Sequence, residues 1–583
     1  MRRGLLVSLA LLASVEIAGA QNPTDAELLS RALNGGSPDQ GTTRVSISPN
    51  GKALAFASSA SNLVPGDTNQ TGDIFTVLES NGSVTPQMLV RAADGGLPDG
   101  ESMEPTVSAT HPDGRRFLVA FLSRATNLIA GYENITEVPQ AFVSLQPRGE
   151  TILVSRALGS RDPGNLDLRP CDGLVQSISV AIKGVEPPEI RVAFLSSATN
   201  LGAGAPNPNS KLLPFIAVLK RRNGKPGWDV QIRGLPTPDN SQDHSNLLIS
   251  GDGLSVVYDV PRASASGASL RQVYRAKEGN PTAELVSQYA LTNSFEALQP
   301  SLSFNGEVVS FLMRNQAGSR TAPVNAFFVR SGDDLTQRPT QANTNSSGVP
   351  SDGAIAESFG SDQYYPGARL SPNGFTIAFS DTGTNLAPNG SSLPIYAQSY
   401  LKDLVTNQIF RTSAAASRGV ATADGGASYS VGLGGSFFNS SSITATFISE
   451  AVNLAANNGG EANAYRSTVN FAPPPLTQGA PIDAPPDVRV NGTSVTLRFQ
   501  PFDPAAVGSL SGPSIAANRV RYNAELKNSS TNDRIQLVTT RNRVTVRKLS
   551  PGRYTVRYRA SSRPSSGGVV KSKYSPKQTM VIN

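Results

Sequence analysis

A unit that repeats limits this chain's fold more than any other feature. Arg44 to Leu78 reads RVSISPNGKALAFASSASNLVPGDTNQTGDIFTVL. Val45 and Ile47, then Leu54 and Phe56, alternate with small or polar residues, which marks half-buried strands. Ser48-Pro49-Asn50-Gly51 sits between them, and Asn-Gly is read as the two positive-φ positions of a tight hairpin turn. Asp73 to Leu78 (DIFTVL) predicts a third strand and Gln87 to Arg91 (QMLVR) a fourth. Four strands with short links make one antiparallel sheet.

The same order returns before Phe121, Tyr258, Phe311 and Phe379, at His111-Pro112-Asp113-Gly114, Ser250-Gly251-Asp252-Gly253, Ser303-Phe304-Asn305-Gly306 and Ser371-Pro372-Asn373-Gly374. Weaker copies centre on Phe194 and Phe447. A second marker follows several of these anchors: Ser61-Asn62-Leu63, Thr126-Asn127-Leu128, Thr199-Asn200-Leu201, Thr384-Asn385-Leu386 and Val452-Asn453-Leu454. A lone four-stranded sheet leaves both faces wet, so such units must stack on their neighbours. The expectation is an all-β chain built on a seven-bladed β-propeller, with six or eight blades left open by the irregular Phe194 unit. The turn, the strand ending in Phe-x-Ser and the later Asp-Ile-Phe strand resemble the TolB-type, WD-like propeller repeats of bacterial envelope proteins. The resemblance covers roughly residues 25 to 471. It implies a fold and an envelope setting, and this fold hosts many functions.

Met1 to Ala20 has the parts of a signal peptide: Arg2 and Arg3, an apolar run from Leu5 to Ala13, and a small-residue site at Ala18-Gly19-Ala20. The run is short for a membrane span, and a buried N-terminal helix is the alternative. The mature chain is expected in the periplasm or outside the cell. Its one cysteine, Cys171, cannot form an internal disulfide, so folding rests on core burial. Glu27 to Ala32 (ELLSRA) is similar to the fourth strands at Met88 to Ala92 and Leu153 to Ala157, although no first three strands precede it. The last unit has three strands, ending at Ala464 to Phe471. The N-terminal strand is therefore expected to complete the last blade, removing an open edge.

Residues 21–472 thus read as the propeller, 473–486 as a proline-rich linker, and 487–583 as a second all-β domain. Leu549-Ser550-Pro551-Gly552-Arg553-Tyr554 resembles the L-x-P-G-x-Y corner of fibronectin type III domains, in which a tyrosine hydroxyl caps a loop backbone. Phe499 stands where such domains carry a core tryptophan. From Leu476 onward 17 Lys and Arg face 5 Asp and Glu, whereas the rest of the chain, with 34 against 39, is mildly acidic. Arg519, Arg521, Arg553, Arg557 and Arg559 are expected to point outward from adjacent strands. Such a face serves solubility, or docks to an anionic surface through its summed field. Nucleic acid is not an expected partner, since the compartment is wrong and the tyrosines on these strands face inward.

Catalytic constellations are scarce. Of two histidines, His111 takes a turn position, which leaves His244 as the one triad candidate. There is no Gly-x-Ser-x-Gly elbow, no HExxH, no CxxC and no phosphate-binding glycine loop. Asp67-x-Asn69-x-x-x-Asp73 spaces oxygens as hard-cation loops do, and Gly66 and Gly72 flank it. The same residues also suit an Asx-rich turn. No other cofactor is implied. The expected function is an exported, non-catalytic binding or scaffolding protein whose stiff ring presents loops to a protein or glycan partner. A carbohydrate-active or lactone-type propeller enzyme, with carboxylates at the ring's mouth, and a structural surface protein are the alternatives.

Overall fold

The computed structural model describes residues 24–582 except 50, 81–82, 109–115, 131–137, 158–176, 184–188, 202–206, 208, 223–226, 265–266, 305, 316–325, 331–334, 337, 354–367, 373, 375, 387–396, 405–406, 414–427, 436–441, 455–460, 471–476, 479–486, 492, 499–520, 530, 532–533, 540–542, 548, 563–569 and 572–576. The signal segment, His111, Cys171, Phe499 and Arg519 lie outside the described residues. Those described are nearly all-β, with one short helix, Gln288–Thr292. No described helix is long and apolar enough to cross a membrane.

Seven four-stranded antiparallel sheets come first. The first is Thr42–Ile47, Leu54–Ser58, Asp73–Ser80 and Ser83–Met88; the second is Ser102–Val107, Phe117–Ser123, Gln140–Gln146 and Glu150–Leu153. The third runs Ile178–Lys183, Glu189–Ser196, Leu213–Arg221 and Trp228–Gly234; the fourth Ser245–Ile249, Ser255–Ala263, Ser269–Lys277 and Glu284–Leu285. The fifth is Phe295–Leu302, Val309–Asn315, Ala326–Arg330 and Thr340–Gln341; the sixth Ala368–Leu370, Thr376–Asp381, Gln398–Asp403 and Ile409–Arg411. The seventh joins Ser428–Gly435, Ser442–Ser449 and Asn463–Asn470 to the N-terminal strand Glu27–Leu28. In the first sheet the fourth strand lies a few residues earlier than the QMLVR pattern suggests, because pairing with Phe75 to Ser80 runs through Ser83 to Met88.

In six of the seven sheets the anchor ring on the second strand lies opposite an aromatic ring on the third. Phe56 stacks on Phe75, Phe121 on Phe142, Phe194 on Phe215, Tyr258 on Tyr274, Phe379 on Tyr400 and Phe447 on Tyr465, with centroids 5.5 to 6.4 Å apart. Cross-strand aromatic pairs of this kind hold register and fill the space between stacked sheets.

The Ser-x-Asn/Asp-Gly turns close differently from the tight hairpin expected. In four of them the glycine N–H donates to the serine carbonyl at 2.8 to 2.9 Å, and the glycine φ is +67° to +75°. At Ser250–Gly253 the positive φ belongs to Gly253 and not to Asp252. The serine hydroxyl then accepts the N–H five residues on, as Ser48 does from Ala53 at 2.9 Å and Ser303 from Val308 at 3.1 Å. One glycine in the left-handed region suffices, and the serine side chain supplies the rest of the closure.

The Ser/Thr-Asn-Leu marker fastens a sheet to the link that leads into it. Asp99, at the end of the link into the second sheet, accepts from Thr126 N at 2.6 Å and from its hydroxyl at 2.5 Å, while Asn127 Oδ1 accepts from Asp99 N at 3.2 Å. Asp39 repeats this with Ser61 and Asn62, and Asp352 with Thr384 and Asn385. The leucine of each marker is buried: Leu63 at 1%, Leu128 at 4%, Leu386 at 1%.

First strands pack on first strands from each sheet to the next, and that of the seventh packs on that of the first. A serine on one often receives an N–H of the next: Ser46 from Val107, Ser179 from Ile249 and Ser301 from Leu370, at 3.0 to 3.2 Å. Register shifts interrupt these strands in the first, second, fourth, fifth and seventh sheets. Glu104, Asn246 and Gln299 occupy the resulting bulges at φ +52°, +52° and +53°. The N-terminal strand pairs Glu27 with Arg466 and Leu28 with Tyr465. Ala26 and Leu28 are buried with Phe447 and Tyr465 in one cluster.

The terminal residues form two further sheets. One holds Asp487–Asn491, Ser494–Arg498 and Arg543–Val546. The other holds Arg521–Asn528, Arg534–Thr539, Gly552–Ser562, Gln578–Ile582, Val570–Lys571 and Thr477–Gln478. Thr477–Gln478 falls within the expected linker, yet it pairs in parallel with Val570–Lys571. Leu497, Leu526, Val556 and Tyr558 lie at the centre of the core. The Tyr554 hydroxyl donates to the Ser550 carbonyl at 3.0 Å.

Candidate functional site

All seven sheets contribute to one cavity of about 140 Å³, lined by their first strands and the turns that follow. Aligned on the anchor rings, Ser46, Thr106, Ser179, Leu248, Ser301, Arg369 and Gly432 hold one repeat position. Most are small or uncharged. Arg369 therefore places a guanidinium where its counterparts are uncharged. Arg44, two residues before Ser46, lines the same cavity and is 8% exposed. Burial, and then the like charge of Arg44, pull the Arg369 guanidinium down to about 9. Arg369 stays cationic at neutral pH.

Glu104 occupies the Arg44 position of the second sheet. Its Oε2 accepts from Ser177 N at 2.9 Å and from the Ser177 hydroxyl at 2.8 Å, tying the second sheet to the third. Burial raises its carboxyl above the usual range, opposed by Arg44 and by the Ser177 bonds. Oε1 is buried without a hydrogen-bond partner among the described residues. The cavity is therefore small, apolar on several sides and positive on one. Charge–charge attraction there is stronger than in water, and the volume admits a carboxylate or phosphate. The alignment of repeats on their anchors is the signal that would have found Arg369 in the sequence.

Asp67, Asn69 and Asp73 lie together where the first sheet's third strand begins. Asp73 is fully buried and Asp67 is 8% exposed. Asn69 Nδ2 donates to Asp73 Oδ2 at 3.0 Å and to the Pro98 carbonyl at 3.0 Å. Desolvation pushes the Asp73 carboxyl up to about 7; Asn69 works against it, and the charge of Asp67 adds to it. Asp67 is itself raised, first by burial and then by Asp39. Among the described residues no three His, Cys, Asp or Glu side chains are grouped to hold a metal. Any cation here would have two carboxylates and otherwise neutral oxygens.

On the terminal domain, Arg553, Arg557 and Arg559 alternate with buried Tyr554 and Tyr558 along Gly552–Ser562. Arg553 is exposed. Arg557 is engaged: its Nε and Nη2 donate to Glu525 Oε2 at 2.9 and 2.7 Å, and Arg534 lies 3.5 Å from Oε1 of the same carboxylate. Arg521 pairs through its backbone with Ser561 on the neighbouring strand. The cationic face is thus partly neutralised from within the sheet.

His244 is a core residue. Its Nδ1 faces the carbonyls of Leu212 and Gln242 at 3.1 Å, its ring meets Tyr258 edge-on at 5.2 Å, and burial lowers it to about 4. A ring held neutral and 1% exposed does not shuttle protons to a substrate.

No family model matches the chain, and no curated protein does. Among solved structures it is similar to TolB from Acinetobacter baumannii at 13% identity, over 64% of this chain and 64% of that one, with a TM-score of 0.30. It is also similar to the β-propeller domain of the Trilobed protease from Pyrococcus furiosus, at 10% identity over 73% and 94% of the two chains, TM-score 0.36. A third is a putative 6-phosphogluconolactonase from Bacteroides uniformis, at 11% identity over 67% and 96%, TM-score 0.31. Likenesses this distant carry no argument about activity.

Proposed function

We propose that this chain is an exported, non-catalytic binding or scaffolding protein. In this reading the seven sheets are blades of a TolB-like propeller closed by its own N-terminal strand. The axial cavity takes an acidic group of a protein or glycan partner. Residues from Thr477 onward form a fibronectin type III-like sandwich whose arginines, exposed Arg553 foremost, dock to an anionic surface.

One observation carries the proposal: Arg44 and Arg369 come from sheets far apart in sequence and line one small cavity. An anion entering the cavity would meet two guanidinium-bearing side chains with little reorganisation of a rigid ring, and the Glu104 carboxylate already acts on Arg44 from beside it. The cyclic packing of first strands and the Glu27–Leu28 pairing support the closed propeller. The Tyr554 corner and the two terminal sheets support the sandwich. A glycosidase-like alternative would need two carboxylates facing one cavity. The charged side chains lining this one, among the described residues, are arginines.

The test is capture from bacterial envelope extract with the mature chain and with its Arg44→Gln/Arg369→Gln variant. A partner held by the parent and lost from the variant supports the axial reading. Equal capture by both overturns it, and turnover of a glycan or lactone by the parent would favour the enzyme.

A further inference from the structure

The first sheet departs from its siblings at one buried position. In the second sheet Gln140 Oε1 accepts from the Ser155 hydroxyl at 2.7 Å, and that hydroxyl accepts from Ala141 N at 3.0 Å. The fourth sheet repeats this with Gln272 and Ser287, the sixth with Gln398 and Ser413, and the seventh with Asn463 and Ser30. An amide oxygen therefore accepts from a serine hydroxyl at the start of the third strand in four sheets, although Gln140 Nε2 is itself buried without a hydrogen-bond partner among the described residues.

In the first sheet the amide is replaced by Asp73 and the serine by Val90. Both are fully buried, at 0% exposure. Valine donates nothing, so Asp73 Oδ1 is buried with no hydrogen-bond partner among the described residues. Thr71 Oγ1, two residues earlier, is buried and unpartnered as well. Asp67 is near enough for its charge to act on Asp73. Of the other charged groups around them, Arg91 acts on both carboxylates and Asp39 on Asp67, while Glu101 packs against Gly72. Burying a second carboxylate beside the first, and removing the serine that would have satisfied it, is costly in a dry core. A turn that needs only Asx capping gives no reason for either replacement.

We propose that the loop from Asp67 to Asp73 binds a hard divalent cation, Ca²⁺, through Asp73 Oδ1, the Asp67 carboxylate and Thr71 Oγ1. Backbone carbonyls and water complete the shell of six or more oxygens that Ca²⁺ takes. Asn69 is a positioning residue: by donating to Asp73 Oδ2 it fixes the carboxylate and leaves Oδ1 for the ion. The ion offsets two acidic side chains at the root of a strand, so binding and folding are linked.

The test compares the full mature chain, stripped with EDTA, with and without millimolar CaCl₂ as the probe. Calorimetric heat and a rise in Tm of about 2 °C or more support the site. The Asp73→Gln/Val90→Ser variant installs the pair used by the other sheets, so it is expected to fold and to ignore Ca²⁺. Should it fail to fold, Asp67→Asn serves instead, with an expected loss of at least about tenfold in Ca²⁺ affinity. A parent chain with neither heat nor a Tm shift overturns the proposal. So does a variant that responds to Ca²⁺ as the parent does.

Discussion

The Glu27 carboxylate and the Arg466 guanidinium meet at 2.6 Å across 439 residues of sequence. They flank the two-residue pairing that joins the N-terminal strand to the seventh sheet. Both side chains keep some exposure, 36% and 21%. The ion pair alone is therefore worth about 0–1 kcal/mol, and Glu27→Gln should move the unfolding midpoint little. Removing residues 24–32 should lower Tm by many degrees, because it strips Leu28 and Leu29 from the core and reopens an edge strand. Scanning calorimetry of both chains checks the contrast, and an unchanged Tm on deletion would contradict it.

Gly434 sets the approach of the seventh sheet to the first. A Cβ there would fall 2.4 Å from the Ser48 carbonyl oxygen and 2.8 Å from Gly51 Cα. Gly434→Val should cost several kcal/mol, on the order of an overpacked core or more. Gly35→Ala meets nothing within 4 Å and strains only a φ of +79°, so about 1 kcal/mol is expected. Urea unfolding of the two variants distinguishes a steric seam from a generic glycine effect.

Asp99 receives two hydrogen bonds from Thr126, one from the backbone and one from the hydroxyl. Asp99→Ala should destabilise by about 1–2 kcal/mol, and Thr126→Val by less, since the backbone bond survives. A double-mutant cycle should show coupling between them. Strictly additive effects would mean the fastening contributes nothing beyond its parts.

Acid should weaken this fold partly through His244. Its folded value, about 4, lies below its ordinary 6.5. The unfolded chain therefore takes up a proton first, and stability present above about 6.5 is lost as pH falls towards about 4. A depression of that size corresponds to about 3 kcal/mol. Asp381 runs the other way. Burial lifts it to about 6 from 3.8, so its contribution is present in acid and declines as pH rises through about 6. The two terms oppose each other between about pH 4 and 6, so His244→Gln should remove the rise in stability from about pH 4 to 6.5 and leave the falling Asp381 slope below about pH 6 unmasked. Urea midpoints across pH 4–8 test both signs.

The repeat was legible because its signals are local: an alternating strand, a serine-to-glycine turn and one ring per unit. The N-terminal strand was legible for the same reason, since Ser30 sits in its segment as Ser155 does in a regular fourth strand and makes the same bonds. The Ser/Thr-Asn-Leu marker was visible as a pattern and silent as to purpose, because its partner Asp99 lies 27 residues earlier, in the link that enters the same sheet. Arg44 and Arg369 looked ordinary, because only the convergence of seven strands brings them to one cavity. The Asp67 to Asp73 spacing marked three residues that the structure brings close together. What it concealed was Val90, whose missing hydroxyl matters only once the fourth strand lies beside the third.

The pairing of Leu28 with Tyr465 has a consequence for how the chain is made. A ribosome working at about 5–20 residues per second needs about 20–90 s to travel from one to the other. Through that interval the earliest segment has no mate, and the last sheet cannot be finished before its own third strand emerges. The N-terminal strand thus waits for its mate until most of the chain has been made, and its pairing is among the last contacts that the seven sheets can form.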